Sequence, residues 1–377
     1  MSLGTIELGR HPAAVLRAPR FGGVVVDLPL LAILLAICTF GLIVLYSALE
    51  QNNALMARQG IRLAIALLTF FVVAQIPPRI LRMWTPWFFG GGVGLLLLVM
   101  VNGDIGKGAQ RWLDLGVIRF QPSEIMKLAV PMMVARYMHE RALPPKFSQL
   151  FVLLFIVFLP AMIIVRQPDL GTALLIIAAG GITILLAGVS LRVIVACGVL
   201  TVSSAPLLWY FMRDYQRARV MTFLNPESDP LGAGYNIIQS KIALGSGGLF
   251  GKGWLNGTQA HLEFLPERST DFVFAVMGEE FGLLGLLLLL GLYLALVGRG
   301  LFIAMHAQDT FTRLLAGSLS LTFFFYVFIN AGMVCGLLPI VGVPLPFISA
   351  GGTSMVTLMA GFGILVAIHG NKKLLAP

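Results

Sequence analysis

The sequence predicts an all-α polytopic membrane protein of about ten transmembrane helices, on two observations of composition and one of pattern. Hydrophobic residues make up 58% of the 377 residues and charged residues only 11%, far from the balance of a soluble domain. Apolar runs recur near the length needed to cross roughly 30 Å of hydrocarbon at about 1.5 Å per helical residue. Lipid offers no partner to an open strand edge, so a helical bundle follows.

Spans are expected near 28–48, 61–75, 87–101, 123–137, 150–165, 173–187, 193–212, 272–297, 311–335 and 353–369. They divide the chain into an N-terminal tail (1–27), a transmembrane bundle (28–369) and a C-terminal tail (370–377), with one long loop at 213–271. The second and fourth runs are short for a crossing, which places their polar ends in protein-lined space. Arg10, Arg17 and Arg20 lead directly into the first run, which therefore reads as an uncleaved anchor. Arg79, Arg82, Arg136, Arg141, Lys146, Arg192, Arg299, Arg313, Lys372 and Lys373 share the side of those arginines, so both termini are expected to be cytoplasmic. Arg58, Arg62, Lys107, Arg111, Arg119 and Arg166 remain outside, an exception that calls for a role.

The long loop carries the turn signals Asn225-Pro226 and Asp229-Pro230 and glycines from Gly245 to Gly253. Between them Ile237, Ile238, Ile242 and Leu244, interleaved with Gln239, Ser240 and Lys241, predict a short amphipathic helix in the headgroup plane. The three cysteines, Cys38, Cys197 and Cys335, are scattered through apolar runs and suit packing rather than a disulfide framework or a metal cluster.

The stretch Leu265-Pro266-Glu267-Arg268-Ser269-Thr270-Asp271-Phe272 brings three ionisable side chains to the outer start of a long apolar run. There the helix dipole stabilises the Asp271 carboxylate, while partial removal from water raises its basicity. A plain helix cap, at Asp271 or at Thr270, accounts for the same residues. Gln121-Pro122-Ser123-Glu124 is followed three residues on by Lys127, which shares a helix face with Glu124. Such a pair is either structural or in contact with substrate.

Arg111, Arg166, Asp169, Arg213, Arg217, Arg219, Lys241 and Lys252 lie on the same side, and a cationic vestibule suits a diphosphate. Attraction to anionic headgroups explains the same basicity. The segment 336–354 is apolar yet rich in helix breakers, so it is expected to dip back into the bundle. Gly351, Gly352, Thr353 and Ser354 then open the last run, either as an anion site or as a turn that only packs. Gly251-Lys252-Gly253 is not a nucleotide loop, His139, His261, His306 and His369 lack metal-ligand spacing, and no serine nucleophile elbow occurs.

In this order, Gly108-Ala109-Gln110-Arg111-Trp112, Gln121-Pro122-Ser123-Glu124-Ile125-Met126-Lys127, Arg166-Gln167-Pro168-Asp169-Leu170-Gly171-Thr172, Gly234-Tyr235-Asn236-Ile237-Ile238-Gln239-Ser240 and Pro344-Leu345-Pro346-Phe347-Ile348-Ser349-Ala350-Gly351-Gly352 resemble the signatures of the SEDS family (shape, elongation, division and sporulation). The runs Phe264-Leu265-Pro266-Glu267-Arg268 and Ser240-Lys241-Ile242-Ala243 look like its elongation (RodA) branch more than its division (FtsW) branch. Two positions depart from the pattern of many members: Ser269 stands where they carry histidine, and Asn236 where they carry glutamine.

The resemblance implies a peptidoglycan glycosyltransferase of the bacterial inner membrane that polymerises lipid II with inversion and releases undecaprenyl diphosphate during cell elongation. It implies Asp271 as the essential aspartate and general base, and Glu124 with Lys127 as the intramembrane pair. Arg111, Arg166, Asp169, Lys241, Arg268, Ser349, Gly351, Gly352 and Thr353 complete the candidate substrate-binding set. One base and cations on the leaving diphosphate suffice, since a diphosphate leaves without protonation. The resemblance assigns no certain cofactor; Asp271, Glu267 and a diphosphate together could hold Mg or Mn, without a visible protein cage. A class B penicillin-binding protein is the implied partner. Spans 8 and 9 offer it a seat against Phe311, Phe323, Phe324, Phe325, Tyr326 and Phe328, with Ala316, Gly317, Gly282, Gly285 and Gly291 permitting close approach; rings that face lipid or pack inside the bundle account for the same pattern. Other elongation-complex membrane proteins are further expected partners; nucleic acid is not. A lipid II flippase and a non-catalytic scaffold are the alternatives from other classes. A translocation path would carry polar groups into the cytoplasmic half, whereas these cluster at the outer face.

Overall fold

The computed structural model describes residues 20–21, 24–106, 109–114, 119–204, 206, 209–210, 212, 214–228, 234–258, 265 and 267–371. Helix α1 (Leu28–Ala48) begins where the Asp27 carboxylate accepts a hydrogen bond from the Leu30 amide at 3.1 Å. Its 21 residues extend about 32 Å, enough to cross a membrane.

α2 (Asn53–Ala74) and α3 (Pro78–Asn102) are longer than the apolar runs at 61–75 and 87–101. Asn52 caps α2 by accepting from the Ala54 and Leu55 amides at 3.1 and 3.2 Å, which carries the helix outward past Arg62 and Arg58. The second run is therefore a full span. In α4 (Pro122–His139) Ser123, Glu124 and Lys127 are buried in protein, as its short apolar run requires.

The remaining helices are α5 (Phe147–Arg166), α6 (Leu170–Leu186), α7 (Leu191–Ser203), α8 (Asp214–Leu224), α9 (Tyr235–Gly247), α10 (Val273–Met305), α11 (Thr310–Val334) and α12 (Thr353–Gly370). Among the described residues seven helices are long and apolar enough to cross a membrane: α1, α2, α3, α5, α10, α11 and α12. α6 is apolar but shorter, at 17 residues. α9 is the helix expected from the alternation at 237–244, with Ile237, Ser240 and Ala243 buried and Lys241 and Ile242 exposed. The expected seventh span ran to residue 212; its helix is described to Ser203, and 205, 207–208 and 211 fall outside the described residues.

The all-α expectation needs one correction. Asp104–Gly106, Ala109–Asp114 and Arg119–Phe120 form a three-stranded antiparallel sheet, with Asp104 opposite Trp112 and Leu113 opposite Phe120. This connection follows the end of α3, beyond the hydrocarbon, where water can satisfy a strand edge. A two-residue pairing, Arg20–Phe21 with Val24–Val25, precedes α1.

Ion pairs gather the helix ends on the face opposite the long loop. Arg299 near the end of α10 grips Asp27 through Nη2 at 2.9 Å and Nε at 3.2 Å, and His369 of α12 approaches the same carboxylate at 3.8 Å. A second group joins α3, α4 and α11: Arg82 contacts His139, whose ring lies 3.9 Å from Asp309, the N-cap of α11. The start of α1 and the end of α12 thus share one face.

Deep in the bundle, the Phe323 ring meets those of Tyr293, Phe362 and Phe347 at centroid distances of 5.6, 5.0 and 5.7 Å. Phe347 belongs to the segment between α11 and α12, which does dip back into the bundle as expected. It holds a left-handed backbone (φ 63°), a strained state for a bulky residue that its aromatic neighbours stabilise.

Candidate active site

The catalytic candidate is placed by the turn that opens α10. Phe272 is the N-cap residue and makes no side-chain cap, so neither Asp271 nor Thr270 caps this helix. Thr270 instead donates its hydroxyl to Glu267 Oε2 at 2.7 Å, and the Thr270 and Phe272 amides both close on the Glu267 carbonyl. Asp271 is left half-buried at the rim.

The re-entrant segment is laced to that turn. The Ala350 amide donates to the Ser269 carbonyl at 2.7 Å, while the Ser349 hydroxyl donates to the Thr270 carbonyl and accepts from the Leu345 amide at 2.7 Å. From α11 the Asn330 side-chain amide donates to the Asp271 carbonyl at 2.9 Å and to the Val343 carbonyl at 2.7 Å. Tyr293 donates to the Pro346 carbonyl at 2.6 Å. A Cβ added to Gly342 would lie 3.6 Å from Asp271 Oδ2, so the carboxylate faces this segment directly.

One turn along α11 from Asn330, Tyr326 leads to the second group. Lys127 Nζ bonds Glu124 Oε1 at 2.6 Å and stands 5.1 Å from the Tyr326 ring centroid. The pair is buried, at 7% and 6% side-chain exposure. A space of about 430 Å³, counted with its open mouth, lies against it between α4, α11 and α12, lined by Glu124, Lys127, Leu128, Leu319, Thr322, Phe323, Tyr326, Thr357, Leu358, Gly361, Phe362 and Leu365. Glu124 Oε2 and Thr322 Oγ1 have no hydrogen-bond partner there among the described residues. α11 thus joins the two polar groups, with Tyr326 on the ion pair and Asn330 on Asp271.

The other candidates separate into those that converge and those that do not. Asp169 is first of all the N-cap of α6, accepting from the Thr172 amide at 3.2 Å. Gln121 reaches its other oxygen at 3.2 Å, and Arg111 approaches that oxygen at 3.7 Å while donating to the Pro168 carbonyl. This cluster abuts the re-entrant segment, because a Cβ on Gly171 would lie only 2.5 Å from the Val341 carbonyl oxygen. Gly351 and Gly352 precede α12 and Thr353 is its first residue. Arg62 lies over that start, with Cδ and Nε each 3.6 Å from a Cβ built on Gly352.

Three expected substrate cations are drawn elsewhere. Arg166 stands exposed at the end of α5. Arg268 pairs with Glu50 at 2.5 Å, tying the Asp271 turn to the end of α1. Lys241 is exposed on α9 and its stem covers Gly336 just beyond the C-terminus of α11, where the helix dipole favours a cation. Sequence reasoning missed Asn330 and also Glu279 and Glu280, which are 0%, 0% and 1% exposed within apolar spans. The available signal was a polar side chain inside an apolar run. Among the described residues no three His, Cys, Asp or Glu side chains are grouped to hold a metal ion.

Fold and site define a multi-pass membrane protein in which α11 joins a half-buried carboxylate, Asp271, to a buried ion pair, Glu124 with Lys127. Residues 28–374 match the family model FTSW_RODA_SPOVE, described as cell cycle protein, and the chain belongs to that family. It is 53% identical over 351 residues to the peptidoglycan glycosyltransferase MrdB of Escherichia coli K12, covering 93% of this chain and 95% of that one. The MrdB of Helicobacter pylori 26695 is 37% identical over 324 residues, covering 84% and 83%. Among solved structures, a chain from work on the structural coordination of polymerization and crosslinking by a peptidoglycan synthase complex aligns with TM-score 0.80 at 31% identity, covering 91% of this chain and 97% of that one. The rod shape determining protein RodA of Thermus thermophilus aligns with TM-score 0.71 at 27% identity, covering 93% and 98%.

Proposed function

We propose that this protein is a RodA-type peptidoglycan glycosyltransferase that polymerises lipid II into β-1,4 glycan for cell elongation. The observation that carries the reading is the Asp271 carboxylate, held at the rim by the Asn330 and Ser349 bonds to its own turn, in a chain 53% identical to a glycosyltransferase of that name. Asp271 accepts the proton of the acceptor sugar hydroxyl as its oxygen attacks the anomeric carbon of the donor glycan. The bond from that carbon to the diphosphate oxygen breaks on the opposite face, and undecaprenyl diphosphate leaves with the electron pair. Arg111, with Arg62 over the start of α12, supplies donors for the leaving group. The Glu124–Lys127 pair packs on Tyr326 of α11, the helix whose Asn330 holds the Asp271 turn. A divalent cation would add charge neutralisation at the diphosphate; the protein's share of such a site is Asp271 with Glu267, too few ligands for a cage of its own.

The same reading assigns ten spans, cytoplasmic termini and residence in the bacterial inner membrane. The shared face of the α1 start and α12 end, with Arg82, Arg136 and Arg299 nearby, supports that orientation. A class B penicillin-binding protein as partner is supported by the TM-score of 0.80 to a chain of a synthase complex. Incubating the purified protein with lipid II and resolving the products on a gel tests the function. Glycan ladders are the expected result, and lipid II left intact under conditions that support MrdB would refute it.

A further inference from the structure

α10 is one helix by hydrogen bonding but two by geometry. Gly282 has φ +64° and ψ −164°, which breaks the helix within an apolar span. The backbone groups opened at the break are taken up by residues 248–253 of the long loop. The Lys252 and Gly253 amides donate to the Glu279 and Glu280 carbonyls at 2.9 and 3.0 Å, and the Leu283 and Leu284 amides donate to the Gly248 and Leu249 carbonyls at 3.0 and 3.2 Å. The fit leaves no room for side chains, since a Cβ on Gly251 would lie 2.1 Å from the Glu280 carbonyl oxygen.

The short piece 273–281 therefore stands between two fastenings. At its outer end it carries the Asp271 turn. At its inner end, about 12 Å away at 1.5 Å per residue, are two fully buried carboxylates. Glu279 Oε1 accepts from Lys252 Nζ at 2.6 Å and from the Thr258 amide and hydroxyl, each at 2.9 Å; Lys252 also reaches the Thr258 hydroxyl at 2.8 Å. Glu280 accepts from Ser47 of α1. Burying two carboxylates at this depth is costly for a helix that only has to cross a membrane. A rigid helical piece conveys any shift at one end to the other.

We propose that Glu279 is a positioning residue: through Lys252 and Thr258 it fastens the Asp271-bearing half of α10 to the long loop and so sets the position of the Asp271 carboxylate. This rests on the polymerase reading for its kinetic consequence and on geometry alone for the rest. The test uses the full-length protein in lipid nanodiscs as Glu279→Gln, Lys252→Met, the two combined, and Lys252→Arg. One arm measures kcat and KM for lipid II polymerisation. The other measures the distance between spin labels at Ser269→Cys and Asn53→Cys, with Cys38, Cys197 and Cys335 replaced by alanine.

Lys252→Met and Glu279→Gln are each expected to lower kcat at least tenfold with KM within twofold, and to broaden the 53–269 distance distribution. The combination should be no worse than either alone, and Lys252→Arg should restore wild-type behaviour. Lys252→Met leaves the buried Glu279 carboxylate without its cation, so the combined variant, which removes both charges, decides the matter if either single variant fails to fold. An unchanged kcat in Lys252→Met, or a distance distribution as narrow as wild type, overturns the proposal. The distance arm needs no lipid II, so a wild-type chain that made no polymer would defeat the polymerase reading and leave the distances to decide this one.

Discussion

At the scale of single residues, Asp271 and the Glu124–Lys127 pair make opposite demands on a substitution. Asp271 is half-buried and its turn is held through backbone carbonyls, so Asp271→Asn keeps the shape and removes the proton acceptor. Polymer formation should fall by about a hundredfold or more, the usual worth of a general base, with the thermal unfolding midpoint unchanged. A wild-type rate in the purified variant would end the assignment. Glu124 and Lys127 are buried against an apolar space, so Glu124→Ala strands an ammonium and should cost about 3 kcal/mol of stability, whereas adding Lys127→Ala should recover part of that loss. Unfolding midpoints of both variants in detergent measure the difference; equal midpoints would show that the pair carries no net structural coupling. The sequence singled these residues out because charge at the edge of an apolar run calls for a partner or a role, but a plain cap accounted for Asp271 equally well until the structure placed the N-cap at Phe272. Glu279 obeys the same rule but went unnoticed, because its meaning depends on Lys252, which approaches only through a helix break that composition does not reveal.

At the scale of elements, seven of the ten expected spans were legible as helices long and apolar enough to cross, because hydrocarbon thickness dictates their length, and the re-entrant segment because Pro344, Pro346, Gly351 and Gly352 forbid a continuous helix. The first span was expected over its observed range, 28–48, whereas α2 begins eight residues before its apolar run because the Asn52 cap adds polar turns that hydropathy cannot see. The strands at 104–120 were not legible, since a short hairpin outside the membrane leaves no mark on hydropathy. What fixes the re-entrant segment is a small set of side-chain bonds. Asn330→Ala removes donors to the Asp271 and Val343 carbonyls together and strands both, at about 1–3 kcal/mol for each buried group. The unfolding midpoint should drop and kcat should fall further than KM changes, because the acceptor base loses its seat. Activity kept alongside a lowered midpoint would mean that Asn330 only stabilises the bundle.

At the scale of the whole molecule, the question is where a single-span partner could lie, and much of the surface expected from the sequence is closed to it. Phe311, Phe323 and Tyr326 are buried in the bundle, and Gly317 is occupied by Leu186, whose Cδ1 would lie 2.9 Å from a Cβ there. Gly282 is filled by the long loop, and a Cβ on Gly285 would lie 2.3 Å from Phe281 of the same helix. What remains open is one stripe of α10, with Leu284 and Leu288 at 53% and 58% exposure, then Gly291, Ala295 and Gly298, all on one face at helical spacing. Gly291 and Gly298 have no neighbouring heavy atom within 4 Å of an added Cβ, so a second helix can approach the backbone closely there. On α11, Phe324, Phe325 and Phe328 are exposed at 38%, 39% and 54%. Lipid chains would cover both surfaces equally well by hydropathy, but only a helix gains from two open glycines seven residues apart. Cysteines at Gly291→Cys and Ala295→Cys should therefore crosslink efficiently to the membrane helix of a co-expressed class B penicillin-binding protein, and Phe328→Cys more weakly. Leu68→Cys on α2 and Phe155→Cys on α5, equally exposed at 64% each, should not. Crosslinks at the last two and none at Gly291→Cys would place the partner on α2 and α5, away from the helix that follows Asp271.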